Sequence, residues 1–366
     1  MLAALGTIYY IMSTAALVCH FRQHIRPRNT PMISVLKPVG GLDPGAKANF
    51  ESILTQNYPS HEVIFGVLDE CDTAASLLRE ITESHANASF FIGSGADGSN
   101  NKVRILCNLI KHAKGEIVVI TDADTRVSPD FLSAIAAPFA DLSVGMITCM
   151  YRGICAKSTA DALEGLNMTC IFAPGVASAN ALSGIDFGLG AAIAIRIDAL
   201  EAIGGFEAVV DYLADDFQIG RKTADAGYKV ELSDYVVDIV LSGENLKNTL
   251  ARELRWSRTT RVSRPLGHFG LITTFGFAYC LFFLLASKFS VLGWEVTLGV
   301  LAVRMMTACI GSLQLGDSEF AKRVYLLPVR DLLCFGIWVA GYFSNKVKWR
   351  GRELRVQMDG KMSVYR

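Results

Sequence analysis

The chain has 366 residues, 51% hydrophobic and 19% charged, with 35 basic residues against 35 acidic ones and a mean hydropathy of +0.33. Balanced charge gives no global field that would steer the chain to nucleic acid, and the charged share lies below the roughly 25% of ordinary soluble domains. Nine cysteines without a C-x-x-C and six scattered histidines indicate neither a zinc site nor a disulfide framework, and in a cytoplasmic domain they read as free thiols.

The apolar excess is concentrated at the two ends. Residues 2–19, LAALGTIYYIMSTAALVC, carry no charge and are long enough for a membrane helix. The basic cluster HFRQHIRPR follows this run instead of preceding it, which argues against a cleaved signal peptide. It also places the following domain on the cytoplasmic side of a bacterial inner membrane by the positive-inside rule. A buried N-terminal helix of a soluble domain is the plainer reading of the same residues.

The expected organisation is therefore an N-terminal transmembrane helix (1–22), a cytoplasmic domain (30–265), membrane helices (266–345) and a basic tail (346–366). Strands are predicted at 33–38, 62–69, 89–93, 117–122 and 144–150, with helices at about 45–56, 72–85, 102–113 and 129–139. This alternation predicts an α/β fold with a mostly parallel sheet flanked by helices. Such sheets bind ligands beyond the carboxyl ends of their strands. Toward the C-terminus, 268–289, 291–313 and 324–343 are candidate spans, but Glu295, Arg304, Pro328, Arg330 and Asp331 interrupt the last two. Three full crossings there would put the basic tail outside, against the positive-inside rule, so the number of passes stays open.

The strand IVVITD runs into Asp122 and Asp124. Strand alternation would turn both carboxylates to one side, where two anions need a cation. Asp69 ends another predicted strand. Asp215 and Asp216 open a helix, and Arg252 and Arg255 share one helix face with Trp256 beside the second. Each feature has an ordinary structural reading when taken alone: strand-end turn residues, a charged first helical turn, a basic juxtamembrane helix. The Gly-rich GSGADGSNNK (93–102) fits neither the P-loop nor the dinucleotide fingerprint.

Together and in this order, Asp69, Asp122-x-Asp124, Asp216 and Arg252-x-x-Arg255-Trp256 resemble the D, D-x-D, D and [Q/R]-x-x-R-W motifs of inverting family 2/21 glycosyltransferases of the GT-A fold. The Arg opening the last motif and the terminal apolar segments resemble the ceramide glucosyltransferase branch. FGVLDECD, GSNNKV, IGGFE and LADDF look most like the hopanoid-biosynthesis-associated members. The resemblance covers roughly residues 30–265.

It implies a UDP-sugar donor, a lipid acceptor delivered from the membrane (a hopanoid polyol or ceramide), and Mg²⁺ or Mn²⁺ held by Asp124 with Asp122. Arg252 and Arg255 would meet the diphosphate and Trp256 the acceptor or sugar. Lys102 would border the nucleotide and Asp69 the uracil or ribose edge. Asp216 would be the general base, with Asp215 its like-charged neighbour. The apolar stretch 162–195 is either ordinary core or a segment admitting a lipid tail. A processive polysaccharide synthase, a polyprenyl-phosphate sugar transferase and a catalytically dead membrane scaffold are the competing readings; the roughly 100 residues after Trp256 are few for a synthase channel.

Overall fold

A computed structural model describes residues 1–22, 29–349 and 352–364, so parts of the predicted basic cluster and basic tail lie outside the described residues. The chain divides into two compact units, one of residues 23–151 and 184–240, the other of 1–22, 152–183 and 241–366.

The first unit is built on strands β1 (Ile33–Pro38), β2 (His61–Val67), β3 (Ala88–Ile92), β4 (Ile117–Thr121), β5 (Thr125–Arg126), β6 (Val144–Ile154), β7 (Ala192–Arg196) and β8 (Lys229–Val240). They form a mixed sheet in the order β3-β2-β1-β4-β7-β6-β8-β5. The first four run parallel, as their helical crossovers require, while β7 joins β4 and β6 antiparallel and β5 joins β8 antiparallel. Every residue of β1 and β4 is buried, the expected state of central strands covered on both faces. Ile33, Val35, Val63, Phe65 and Val119 pack with Phe50, Ile53, Leu78, Phe131 and Ile135 into the main core. On helix Asn101–Leu109, Ile105 and Leu109 close over Gly66, where a Cβ would lie 2.7–2.8 Å from their side chains.

The predicted strands stand within two residues of the observed ones, except that β6 runs on to Ile154. The apolar stretch 162–195 has two fates. Residues 192–195 form most of the buried strand β7, while helices Thr159–Asn167 and Ala173–Ser183, joined by a π-helical turn over Met168–Phe172, group with the terminal helices.

In the second unit, among the described residues, two helices, Leu2–His20 and Val291–Leu315, are long and apolar enough to cross a membrane. Pro265–Thr274 and Gly276–Ala286 would make a third span only as one pair, bent by 51°. The segment expected at 324–343 forms a helix of just 14 residues, Leu327–Ala340, with Pro328 in its first turn. Its charges are buried and paired. Arg330 grips Glu253 through two bonds of 2.7 and 2.8 Å, and Asp331 takes two bonds of 2.8 and 2.7 Å from Arg304. Arg304 also donates to the Cys170 carbonyl at 3.1 Å and lies over the Tyr10 ring.

Removing one partner of such a pair leaves a buried charge unmatched, at a cost of about 3–5 kcal/mol. Asp331→Asn should therefore lower the thermal unfolding midpoint of the full chain in detergent, and Arg304→Met combined with Asp331→Leu should restore most of it. An unchanged midpoint in the single variant would show the pair to be solvated.

Candidate active site

Parallel pairing puts the carboxyl ends of β1, β2 and β4 along one edge of the sheet, the edge where this architecture holds ligands. Asp122 follows directly on β4. The strand stops at Thr121, so the alternation expected to orient Asp122 and Asp124 does not apply; a tight turn does. The Thr125 N–H and Oγ1 both donate to the Asp122 carbonyl, at 3.3 and 2.7 Å, and close the turn around the two acids.

A second acidic pair joins them. Asp215 and Asp216 lie in the first turn of helix Asp215–Asp225. Asn100 caps helix Asn101–Leu109 by accepting from the Val103 N–H, and its amide reaches out to the Tyr212 carbonyl (2.9 Å) and the Asp215 carboxylate (3.1 Å). The Ser99 N–H donates to Asp211 at 3.0 Å. The GSNNK loop thus clasps the segment carrying the second pair and presents Lys102 between the pairs, its Nζ 2.7 Å from Asp122 and 3.7 Å from Asp215.

Gly190, just ahead of β7, shows how close the two pairs are. A Cβ there would stand 2.9 Å from Asp216 Oδ2 and 3.9 Å from Asp122 Oδ2, so any added side chain would have to push the Asp216 carboxylate aside. Gly188 is as confined, its Cβ position 2.5 Å from the Asp216 carbonyl.

Crowded acids resist ionisation. Burial first, and Asp215 second, raise the Asp216 carboxyl to about 7 against the pull of Lys102. Burial, then Asp122 and Asp43, raise Asp124 to about 7 against Lys37. For Lys102, burial works against the charge, but Asp122, Asp215 and Asp216 outweigh it and hold the ammonium above its ordinary value.

Asp124 Oδ1 is buried and has no hydrogen-bond partner. An orphaned carboxylate oxygen beside a second carboxylate fits a hard divalent cation that draws its remaining oxygens from a substrate. Among the described residues no three His, Cys, Asp or Glu side chains converge into a cage made of protein alone.

The other expected residues have separate settings. Asp69 is exposed past the end of β2 and accepts the Cys71 N–H at 2.9 Å, closing a turn; nearby Asp72 takes the Gly41 N–H at 3.0 and 3.1 Å. Arg252, Arg255 and Trp256 belong to helix Leu246–Ser263 of the other unit. There Arg252 pairs with Glu164 at 2.5 Å and with Glu244, with its guanidinium over the Trp256 ring. Arg252 therefore already holds two carboxylates. Sequence reasoning missed Lys37, Asn100 and Gly190. A lysine inside the otherwise apolar ISVLKP and the close glycines of GLGAA were the available signals.

The mostly parallel sheet flanked by helices has the GT-A architecture. The chain matches glycosyl transferase family 21 over residues 1–362 and belongs to that family. It is 23% identical to ceramide glucosyltransferase 1 of Caenorhabditis elegans over 98% of this chain and 79% of that one. With ceramide glucosyltransferase 3 of the same organism it shares 20% identity over 97% and 80%. A mannosyltransferase from Pyrobaculum calidifontis, solved with GDP-Man and Mn²⁺, shares the fold at a TM-score of 0.51 and 19% identity, covering 93% of this chain and 97% of that one. The protein is a glycosyltransferase.

Gly190→Ala tests the arrangement. The added methyl meets only the far end of the Asp216 side chain, so the fold should survive while the carboxylate is displaced. Turnover should drop on the order of 100-fold, the usual penalty for an ångström of misplacement. Wild-type turnover in Gly190→Ala would place the reaction elsewhere.

Proposed function

We propose that the chain is a membrane-bound inverting glycosyltransferase that moves a sugar from UDP to the hydroxyl of a lipid, either a hopanoid polyol or a ceramide. The observation that carries this reading is the convergence of two carboxylates on Gly190, Asp216 at 2.9 Å and Asp122 at 3.9 Å from its Cβ position. One belongs to the turn that suits a cation, the other stands apart with a carboxyl near 7. The lipid acceptor is drawn from the ceramide glucosyltransferase relatives, the UDP-sugar from the resemblance of the motifs, and the GDP-Man and Mn²⁺ of the mannosyltransferase are compatible with donor and metal binding at this edge.

In this reading Asp124 and Asp122 hold Mg²⁺ or Mn²⁺, which when bound supplies positive charge to the departing diphosphate. Lys102, now on Asp122 and Asp215, is placed to turn to a donor phosphate. Asp216 accepts the proton of the acceptor hydroxyl as its oxygen attacks the anomeric carbon from the face opposite UDP, which inverts that carbon and needs no covalent nucleophile. Asp69 serves the base or ribose. Arg255 and Trp256 enter on their motif alone, as a diphosphate ligand and a wall for acceptor or sugar. Arg252, with Glu164 and Glu244 as partners, acts as the clamp that orients them.

The apolar helices supply the acceptor side. With the bent pair taken as one span, it joins Leu2–His20 and Val291–Leu315 to give three candidate crossings among the described residues, and the 14-residue helix Leu327–Ala340 is too short to add another.

Asp216→Asn should bind donor within about threefold of wild type and lose about 10²–10⁴ in turnover, the range for a general base. Full turnover would remove the role. Because the base must be ionised and its carboxyl is raised, activity should climb with pH up to about 7 and level above it; a limb near pH 4 would point to a solvated carboxylate. Mass spectrometry of lipids from cells expressing the chain should reveal a new hexosyl or N-acetylhexosaminyl lipid. An extended glycan instead would mean a polysaccharide synthase.

A further inference from the structure

Lys37 has no place in that scheme, yet its surroundings are unusual. It is the fifth residue of β1, between β2 and β4, and its side chain is wholly buried. An ammonium in such a place is retained only if its donors and charge are met, and a branched apolar residue would serve the strand at lower cost. All three N–H donors are used: on Thr121 Oγ1 at 3.2 Å, the Asp122 carbonyl at 2.7 Å and Thr125 Oγ1 at 3.1 Å. None of these oxygens is a carboxylate. They belong to the residues that begin and end the turn holding Asp122 and Asp124. Thr125 Oγ1 passes the connection on by donating to the same Asp122 carbonyl. The side chains of the two acids are left to other partners, Asp122 to Lys102 and Asp124 Oδ1 to none.

We infer that Lys37 is a positioning residue for a divalent cation and the donor diphosphate: it pins the Asp122–Thr125 turn from inside the sheet and offsets the two carboxylates while no ligand is bound. The inference rests on Asp122 and Asp124 being the cation ligands. Lysine supplies what no apolar residue can, three bonds to one turn and a charge behind it. Partners of this kind, which touch the ligands rather than the metal, commonly account for 10- to 100-fold in metal affinity.

The test uses the full chain in detergent, with UDP present and free Mn²⁺ read by electron paramagnetic resonance. Lys37→Met keeps the length and bulk of the side chain and removes charge and donors. It should weaken Mn²⁺ binding 10- to 100-fold and lower kcat at saturating Mn²⁺ and donor at least tenfold. A purely structural role would instead reduce the amount of folded protein and leave the folded fraction with wild-type Mn²⁺ affinity, and that result overturns the inference.

Thr125→Val serves where Lys37→Met does not fold. Loss of one acceptor should weaken Mn²⁺ by roughly 3- to 10-fold, and wild-type affinity there overturns the inference equally. Asp124→Asn separates the identity of the ligands from the role of Lys37. If it binds Mn²⁺ like wild type, or if wild type takes up none, the assignment of the ligands is wrong and the role of Lys37 falls with it. If only Asp124→Asn weakens binding, the ligands stand and Lys37 alone is refuted.

Discussion

Four carboxylates at one edge of a sheet constitute the central constraint on this protein. Asp122, Asp124, Asp215 and Asp216 are offset by two lysines, Lys37 behind the turn and Lys102 between the pairs. At the reduced dielectric of a half-buried site, like charges this near cost several kcal/mol if all are ionised. The protein distributes the strain instead of removing it. Asp122 and Asp215 each have a lysine partner, while Asp124 and Asp216 respond by holding their protons up to about 7. A divalent cation carried by a diphosphate would complete the balance, two positive charges for the crowded turn and several oxygens for the lysine. The same crowding would favour a ligand that brings positive charge.

Much of this was legible in the sequence because it lies in local patterns. Short β-branched runs alternating with helical patterns gave β1 and β4 within a residue, and strand ends drew attention to Asp69 and Asp122. Family resemblance, not spacing, drew attention to Lys102, which in the structure bridges the acid pairs. The misses share one cause: they are contacts between segments far apart in the chain. Lys37 and Thr125 are separated by 88 residues and Asn100 and Asp215 by 115, so neither pairing leaves a periodic trace. Gly190 is visible only as one glycine among several until Asp216 is seen against it. Strand alternation ends one residue before Asp122, where the turn takes over.

The second unit solves a different electrostatic problem. Arg304, Arg323 and Arg330 are buried among apolar helices, and each faces a carboxylate: Asp331, Asp317 and Glu253. Such pairs add little net stability over apolar packing, but their geometry admits few alternatives. Glu253 adjoins Arg252, itself held by Glu164 and Glu244. Helix Leu246–Ser263, which carries Arg255 and Trp256, is therefore fixed in rotation by ions on neighbouring positions. Directional forks fix the rotation of such a helix more narrowly than apolar packing would.

The π-helical turn over Met168–Phe172 changes the phase of the helix beyond it. A five-residue wide turn amounts to one residue more than the regular spiral needs, which offsets the faces of the flanking helices by about 100°. The offset lets the Cys170 carbonyl meet Arg304 and the Thr169 hydroxyl meet Asp317, while Gly175 comes against Tyr9. Shortening this stretch by a single amino acid would restore an even pitch and swing Ala173–Ser183 away from its neighbours. The irregularity is the gearing between two otherwise ordinary helices.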